Sequence, residues 1–176
     1  RGKIITTPAT RDLLELMLYD AANIQENDAA WDTKKAIRAG RPPVLPLYTA
    51  DDVGDVLSLF DVKPYGELFS LGNGIKYRFL DAGHILGSGT LEVWYQDSTK
   101  EKKIVFSGDI GKKGNPIIRD PSILVEADYI VMESTYGNRL QKPFKESVDE
   151  LVEAIRTTFK KGGNAYIPSI AVGRTQ

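Results

Sequence analysis

Four segments of strand length follow one another between Ile75 and Met132, and no other feature limits the possible folds of this chain so strongly. Ile75, Tyr77 and Phe79 alternate with Lys76 and Arg78, the period-two pattern of a strand with one face buried. Leu91, Val93 and Tyr95 repeat it. Residues 103–106 and 129–132 are short, largely apolar runs of strand length, and residues 97–102 form a polar turn joining two of these strands. A last strand is predicted over 165–168.

Three helical periodicities flank this run. In the first, Thr7 is placed to cap, Pro8 suits the first helical position, and Leu13, Leu14, Met17, Leu18 and Ala21 line one face. In the second, Thr49 caps, Asp51 and Asp52 favour the first turn, and Val53, Val56, Leu57 and Phe60 recur at helical spacing. In the third, Val148, Leu151, Val152, Ile155 and Phe159 form the stripe and Gly162 ends it. Residues 26–46 are polar and then proline-rich, and are expected to be mostly loop with one helical turn around 33–38. Hairpins mixed with helices predict an α/β or α+β layered fold.

Composition narrows the chemistry. Hydrophobic residues make up 41% and charged residues 27% of the 176, ordinary globular usage. With no cysteine there is no disulfide and no thiolate metal site, which fits a reducing cytoplasm. No apolar run reaches the roughly 18 residues of a membrane span. The start lacks both a signal-peptide pattern and an initiator Met, and residues 173–176 run straight on from a strand-like segment, so the chain reads as a fragment of a longer protein. A net charge of −1 argues against a dedicated nucleic-acid-binding module, but not against a nuclease whose metal supplies positive charge at the phosphate.

Three strand ends carry groups suited to chemistry. Asp81-Ala82-Gly83-His84-Ile85-Leu86-Gly87-Ser88-Gly89 is a glycine-rich loop holding the only histidine of the chain. Read alone it is more readily a long hairpin loop with a surface histidine. The apolar run ending at Phe106 passes into Ser107-Gly108-Asp109-Ile110-Gly111, where Asp109 is either a rigidly held metal ligand or a turn aspartate. The run ending at Met132 delivers Glu133. Imidazole and carboxylate donors without sulfur suit Zn²⁺, Mn²⁺ or Fe²⁺.

Taken in order, these segments resemble the later motifs of the metallo-β-lactamase superfamily in its β-CASP branch of RNA- and DNA-processing nucleases, and most nearly the cleavage and polyadenylation specificity factor endonuclease and its relatives. The segment ending in His84 resembles the family's third motif, whose histidine binds metal. Ser107-Gly108-Asp109 resembles the fourth, whose aspartate bridges two metals. Glu133-Ser134-Thr135-Tyr136-Gly137 resembles the acidic motif opening the β-CASP insertion, whose acid orients a ligand histidine without binding metal. Pro168-Ser169-Ile170-Ala171-Val172-Gly173-Arg174-Thr175-Gln176 resembles a β-CASP signature strand and turn. The family's His-x-His-x-Asp-His motif and its two later histidine motifs are absent, and Gln141 stands where relatives often carry histidine.

The resemblance implies part of an αββα sandwich, with residues 1–138 in the metallo-β-lactamase segment and 139–176 opening a β-CASP domain. It implies a two-zinc hydrolysis of RNA phosphodiesters, with His84 and Asp109 as metal ligands, Asp109 and Glu133 as catalytic groups, and an inactive isolated fragment. Tyr136, Arg174 and Lys112 are candidates for substrate contact, Tyr136 by stacking on a base; Lys112 with Lys113 reads more readily as a solvated loop pair, and Arg174 reads equally as a brace at the domain boundary. Trp31 and Trp94 are weaker stacking candidates, Trp94 because it lies within a strand. The implied partners are RNA and a second copy as a homodimer, with no membrane. Three other readings stand beside this one: a catalytically silent subunit that binds RNA or protein, a DNA-processing β-CASP nuclease, and a small-molecule metallo-β-lactamase hydrolase, which the Glu133 and Pro168 segments disfavour.

Overall fold

The computed structural model describes residues 2–140, 142–169 and 172–173. It divides into two compact units, residues 1–132 and 133–176. The fold is mixed α/β.

The first unit opens with β1 (Ile4–Thr6) and α1 (Pro8–Arg38), followed by α2 (Ala50–Leu57) and β2 (Phe60–Val62). Thr7 caps α1, its hydroxyl oxygen accepting from the Thr10 N–H at 3.4 Å, and Pro8 occupies the first turn as expected. The helix does not stop where its leucine stripe ends. It continues to Arg38 through much of the segment expected to be loop, and only residues 39–49 are irregular. Ala22, Ala29 and Ala36 are buried, a seam of small residues repeating every two turns. Good helix formers carry the backbone through, and alanine lets a polar-looking segment pack without large apolar side chains. The Thr33 hydroxyl donates to the Val44 carbonyl at 3.0 Å and accepts from the Val44 N–H at 2.9 Å, folding the proline-rich segment back on the helix.

At α2 the Asp52 carboxylate accepts from the Thr49 N–H at 2.9 Å and from its hydroxyl at 2.8 Å. Those bonds hold the Asp52 carboxyl below its ordinary range. Val53 is buried, but the helix ends at Leu57 and Phe60 opens β2, so the expected four-residue stripe is cut short. β1 and β2 pair in parallel, Ile5 opposite Asp61.

The second sheet has the order β3 (Phe69–Gly72), β4 (Ile75–Asp81), β5 (Gly89–Gln96), β6 (Glu101–Phe106), β7 (Tyr129–Val131). β3 to β6 form an antiparallel meander, and β7 joins β6 in parallel. β4 to β7 answer the four expected segments. β3 was not expected, although Asn73-Gly74 carries its signal. Both residues have positive φ (51° and 75°), as a two-residue type I′ hairpin demands.

The sheet's register explains its core. Arg78 faces Glu92, which faces Val105; Lys76 faces Trp94, which faces Lys103. Glu92 and Val105 are the largest fully buried side chains. On the other face Tyr77 packs against Phe69 and Phe79, with ring centroids 5.6 and 6.0 Å apart. Burial pushes the Glu92 carboxyl up, but Arg78 (Nε at 2.6 Å) and Lys103 (Nζ at 2.5 Å) outweigh it and hold the group below the usual carboxylate range. Arg78 and Lys103 also lie over the Trp94 ring, 5.4 and 5.1 Å from its centre, so Trp94 packs within the sheet face.

The second unit contains α3 (Phe144–Lys160), whose expected stripe is present in register. Residues 165–168, expected as a strand, have no ladder partner among the described residues, and a strand exists only through such pairing. Among the described residues no helix is long and apolar enough to cross a membrane.

Candidate metal centre

His84 and Asp109 lie on different loops at the same end of the sheet, separated in sequence by the whole of β5 and β6. Their side chains meet: His84 Nε2 is 3.7 Å from Asp109 Oδ2. Both are exposed and line one cavity of about 320 Å³. Its far wall comes from α1, through Thr10, Leu13, Leu14 and Met17.

The His84 loop is built from backbone bonds. The Asp81 carboxylate accepts from the Gly83 N–H at 2.9 Å, a local turn that leaves the strand. Ala82 N–H donates to the Ser88 carbonyl at 3.2 Å and Ser88 N–H to the Ile85 carbonyl at 3.0 Å. The Ser88 hydroxyl oxygen accepts from the backbone N–H groups of His84 (3.0 Å) and Ile85 (3.3 Å). Tyr65 donates its hydroxyl to the Ser88 carbonyl at 2.8 Å.

The Asp109 loop is held against it. Gly111 N–H donates to the Ala82 carbonyl at 2.8 Å. A Cβ on Gly111 would fall inside the Gly83 carbonyl, so only glycine allows the two backbones to approach. Gly83 has φ 64°, and a Cβ there would stand 2.6 Å from the Pro121 nitrogen. The buried Thr90 hydroxyl donates to the Ser107 carbonyl at 3.0 Å, and Ser107 N–H to the Val131 carbonyl at 2.9 Å, which ties the loop's start to β5 and β7.

Two ligands on a tetrahedral zinc ion, each at about 2.0–2.2 Å, stand about 3.3 Å apart. The 3.7 Å separation therefore suits donors to one shared ion. Among the described residues no group of three or more His, Asp or Glu side chains could hold a metal, so the pair by itself makes no complete site.

The other predicted site residues are spread out. Lys112 is exposed in the loop that carries Asp109. Glu133 and Tyr136 belong to the second unit; Glu133 is half-buried, and Arg139 lies 5.0 Å over the Tyr136 ring centre. Trp31 is exposed on α1 with Lys35 5.2 Å over its ring. Arg174 and Gln141 lie outside the described residues. Sequence reasoning missed the contribution of α1 to the cavity, since nothing local links residues 10–17 to the His84 loop. It also passed over Glu92, which as a charged residue in a strand looks solvent-facing.

No family model matches the chain. Curated relatives match it from end to end. It is 31% identical over 176 residues to Ribonuclease TTHA0252 of Thermus thermophilus, covering all of this chain and 36% of that protein. It is 34% identical over 180 residues to Transcription termination factor FttA of Thermococcus kodakarensis, covering 99% of this chain and 25% of that protein. It is 26% identical over 179 residues to Endoribonuclease YSH1 of Eremothecium gossypii, covering 100% of this chain and 21% of that protein. The chain thus spans at most 36% of the length of these relatives. Similarity at this level along its whole length places the chain in the β-CASP branch of the metallo-β-lactamase superfamily.

Proposed function

We propose that this chain is a segment of a zinc-dependent ribonuclease that hydrolyses RNA phosphodiester bonds. The observation that carries the reading is the meeting of His84 Nε2 and Asp109 Oδ2 at 3.7 Å on one cavity. The names of the relatives, ribonuclease and endoribonuclease among them, support RNA over DNA as substrate.

His84 would hold metal through its ring nitrogen and Asp109 through its carboxylate. Zinc, when bound, supplies a Lewis acid and a water acidified to near neutral pH. The Gly111–Ala82 bond holds the two loops that carry these donors against each other. Lys112, exposed beside Asp109, meets the RNA backbone. Glu133 acts by orienting a ligand histidine, and Tyr136 and Arg174 contact substrate. Residues 1–138 form the metallo-β-lactamase segment and 139–176 open the β-CASP domain. The whole protein works in the cytoplasm, and a homodimer is its proposed assembly.

The test is cleavage of labelled single-stranded RNA by the full-length protein. Asp109→Ala is expected to abolish it, and a matched DNA substrate to be cut poorly. Full activity in Asp109→Ala would overturn the role given to that carboxylate, and preference for DNA would overturn the substrate.

A further inference from the structure

The N-terminus of α1 touches the His84 loop at one carbonyl. Gly87 O lies 2.9 Å from the Thr7 hydroxyl and 2.8 Å from the Thr10 hydroxyl, and the two hydroxyl oxygens are 2.8 Å apart. Three oxygens thus form a triangle sharing two protons, since each threonine has one O–H to donate. Thr7 Oγ1 also accepts the Thr10 N–H as the helix cap. Thr7 and Gly87 are buried, so these bonds do not compete with water on equal terms. Gly87 has φ 86°, and a Cβ there would press on Thr10 at 2.5 Å from its hydroxyl oxygen. The contact is therefore a fitted one, not a passing touch.

From Gly87 the connection runs straight to the candidate ligand. The Gly87 carbonyl belongs to the peptide unit that leads into Ser88, and the Ser88 hydroxyl accepts the backbone N–H of His84. Thr10 also lines the cavity that His84 and Asp109 share.

We infer that Thr10 is a positioning residue for His84: its hydroxyl fixes the Gly87 carbonyl, and through Ser88 it aims the imidazole at Asp109. This deepens the proposed function and rests on it, since a position matters only if His84 is a ligand. The physical reason is that His84 sits on an exposed loop outside any helix or strand, whereas α1 is a long, internally hydrogen-bonded helix. Anchoring the loop to a helix cap transfers that rigidity to the ligand.

His84 is the only histidine of the chain, so its imidazole ¹H–¹³C NMR correlations report on this site alone. The chain is compared with its Thr10→Val, Thr10→Ser and Ser88→Ala variants at one fixed pH. Thr10→Val keeps the side-chain shape and loses the hydroxyl; it is expected to shift or split the His84 signals, and Thr10→Ser to restore them. Unchanged His84 signals in a folded Thr10→Val, or equal disturbance by Thr10→Ser, overturns the inference. Should Thr10→Val fail to fold, Ser88→Ala still tests the path from Gly87 to His84, and unchanged His84 signals in it overturn the inference. A parallel titration carried to a large excess of zinc chloride, as weak binding by two donors requires, tests the reading beneath: zinc is expected to shift the His84 signals in the parent and not in Asp109→Ala. If zinc leaves the parent's His84 untouched while Thr10→Val still moves it, the ligand assignment fails and the positioning geometry stands.

Discussion

The N–H of Gly111 donates to the carbonyl of Ala82 across 2.8 Å, and this bond sets the Asp109 loop against the His84 loop. Neither loop has a regular element of its own to hold it there. Backbone contact at glycine does the work, which makes the site sensitive to a single methyl group.

Gly111→Ala is expected to force the loops apart. The added Cβ meets the Gly83 carbonyl, which is backbone and cannot rotate away. Overpacking of this kind costs about 1–3 kcal/mol. Urea denaturation should show a lower midpoint at unchanged slope, and the full-length protein should lose RNA cleavage beyond what that destabilisation explains. A variant of parental stability would show that the two backbones do not approach this closely.

Glu92 makes the stability of the first unit depend on acid. Its folded-state carboxyl is held below the ordinary carboxylate range, so the group contributes stability at pH values above that range. That contribution fades as pH falls through the ordinary carboxylate value and is gone below the folded one. Removing the charge with Glu92→Gln takes the counter-charge from Arg78 and Lys103 but leaves an amide oxygen to accept, at a cost of about 1–3 kcal/mol. Urea midpoints measured from neutral to acid pH should fall for the parent and fall less steeply for Glu92→Gln. Parallel slopes would remove Glu92 from the account.

The alanine seam of α1 predicts a size limit. Ala22 is fully buried, so Ala22→Leu has nowhere to place its added carbons and should destabilise by about 1–3 kcal/mol. The same change at exposed Asn23 should be nearly neutral. Thermal unfolding followed by circular dichroism distinguishes the two; equal effects would mean that the seam is not packed.

Chelation tests the metal. Treating the full-length protein with EDTA should abolish RNA cleavage, and added Zn²⁺ should restore it. His84→Ala should weaken zinc retention by at least about a hundredfold, since even supporting partners of ligands are worth about 10–100-fold. By the same reasoning this chain, with two described donors, should bind zinc only weakly. Tight, stoichiometric uptake of two zinc ions by it would count against the shell as drawn.

What the amino-acid sequence determined by itself was local. Period-two alternation marked β4 and β5, apolar runs marked β6 and β7, and Thr7-Pro8 and Thr49 marked two helix starts, because each signal lies within a few neighbouring residues. The identities of His84 and Asp109 as candidate ligands were legible for the same reason, through the wording of their loops. Tertiary structure alone decided the rest. β1 and β2 are too short to show a period and exist because distant segments pair. The second half of α1 buries alanines, which leave no apolar stripe to read. Glu92 looked like a solvent-facing charge until the register set it between Arg78 and Lys103. The 3.7 Å approach of His84 to Asp109 likewise depends on a backbone contact between loops that β5 and β6 separate, and no local pattern encodes which two loops will meet.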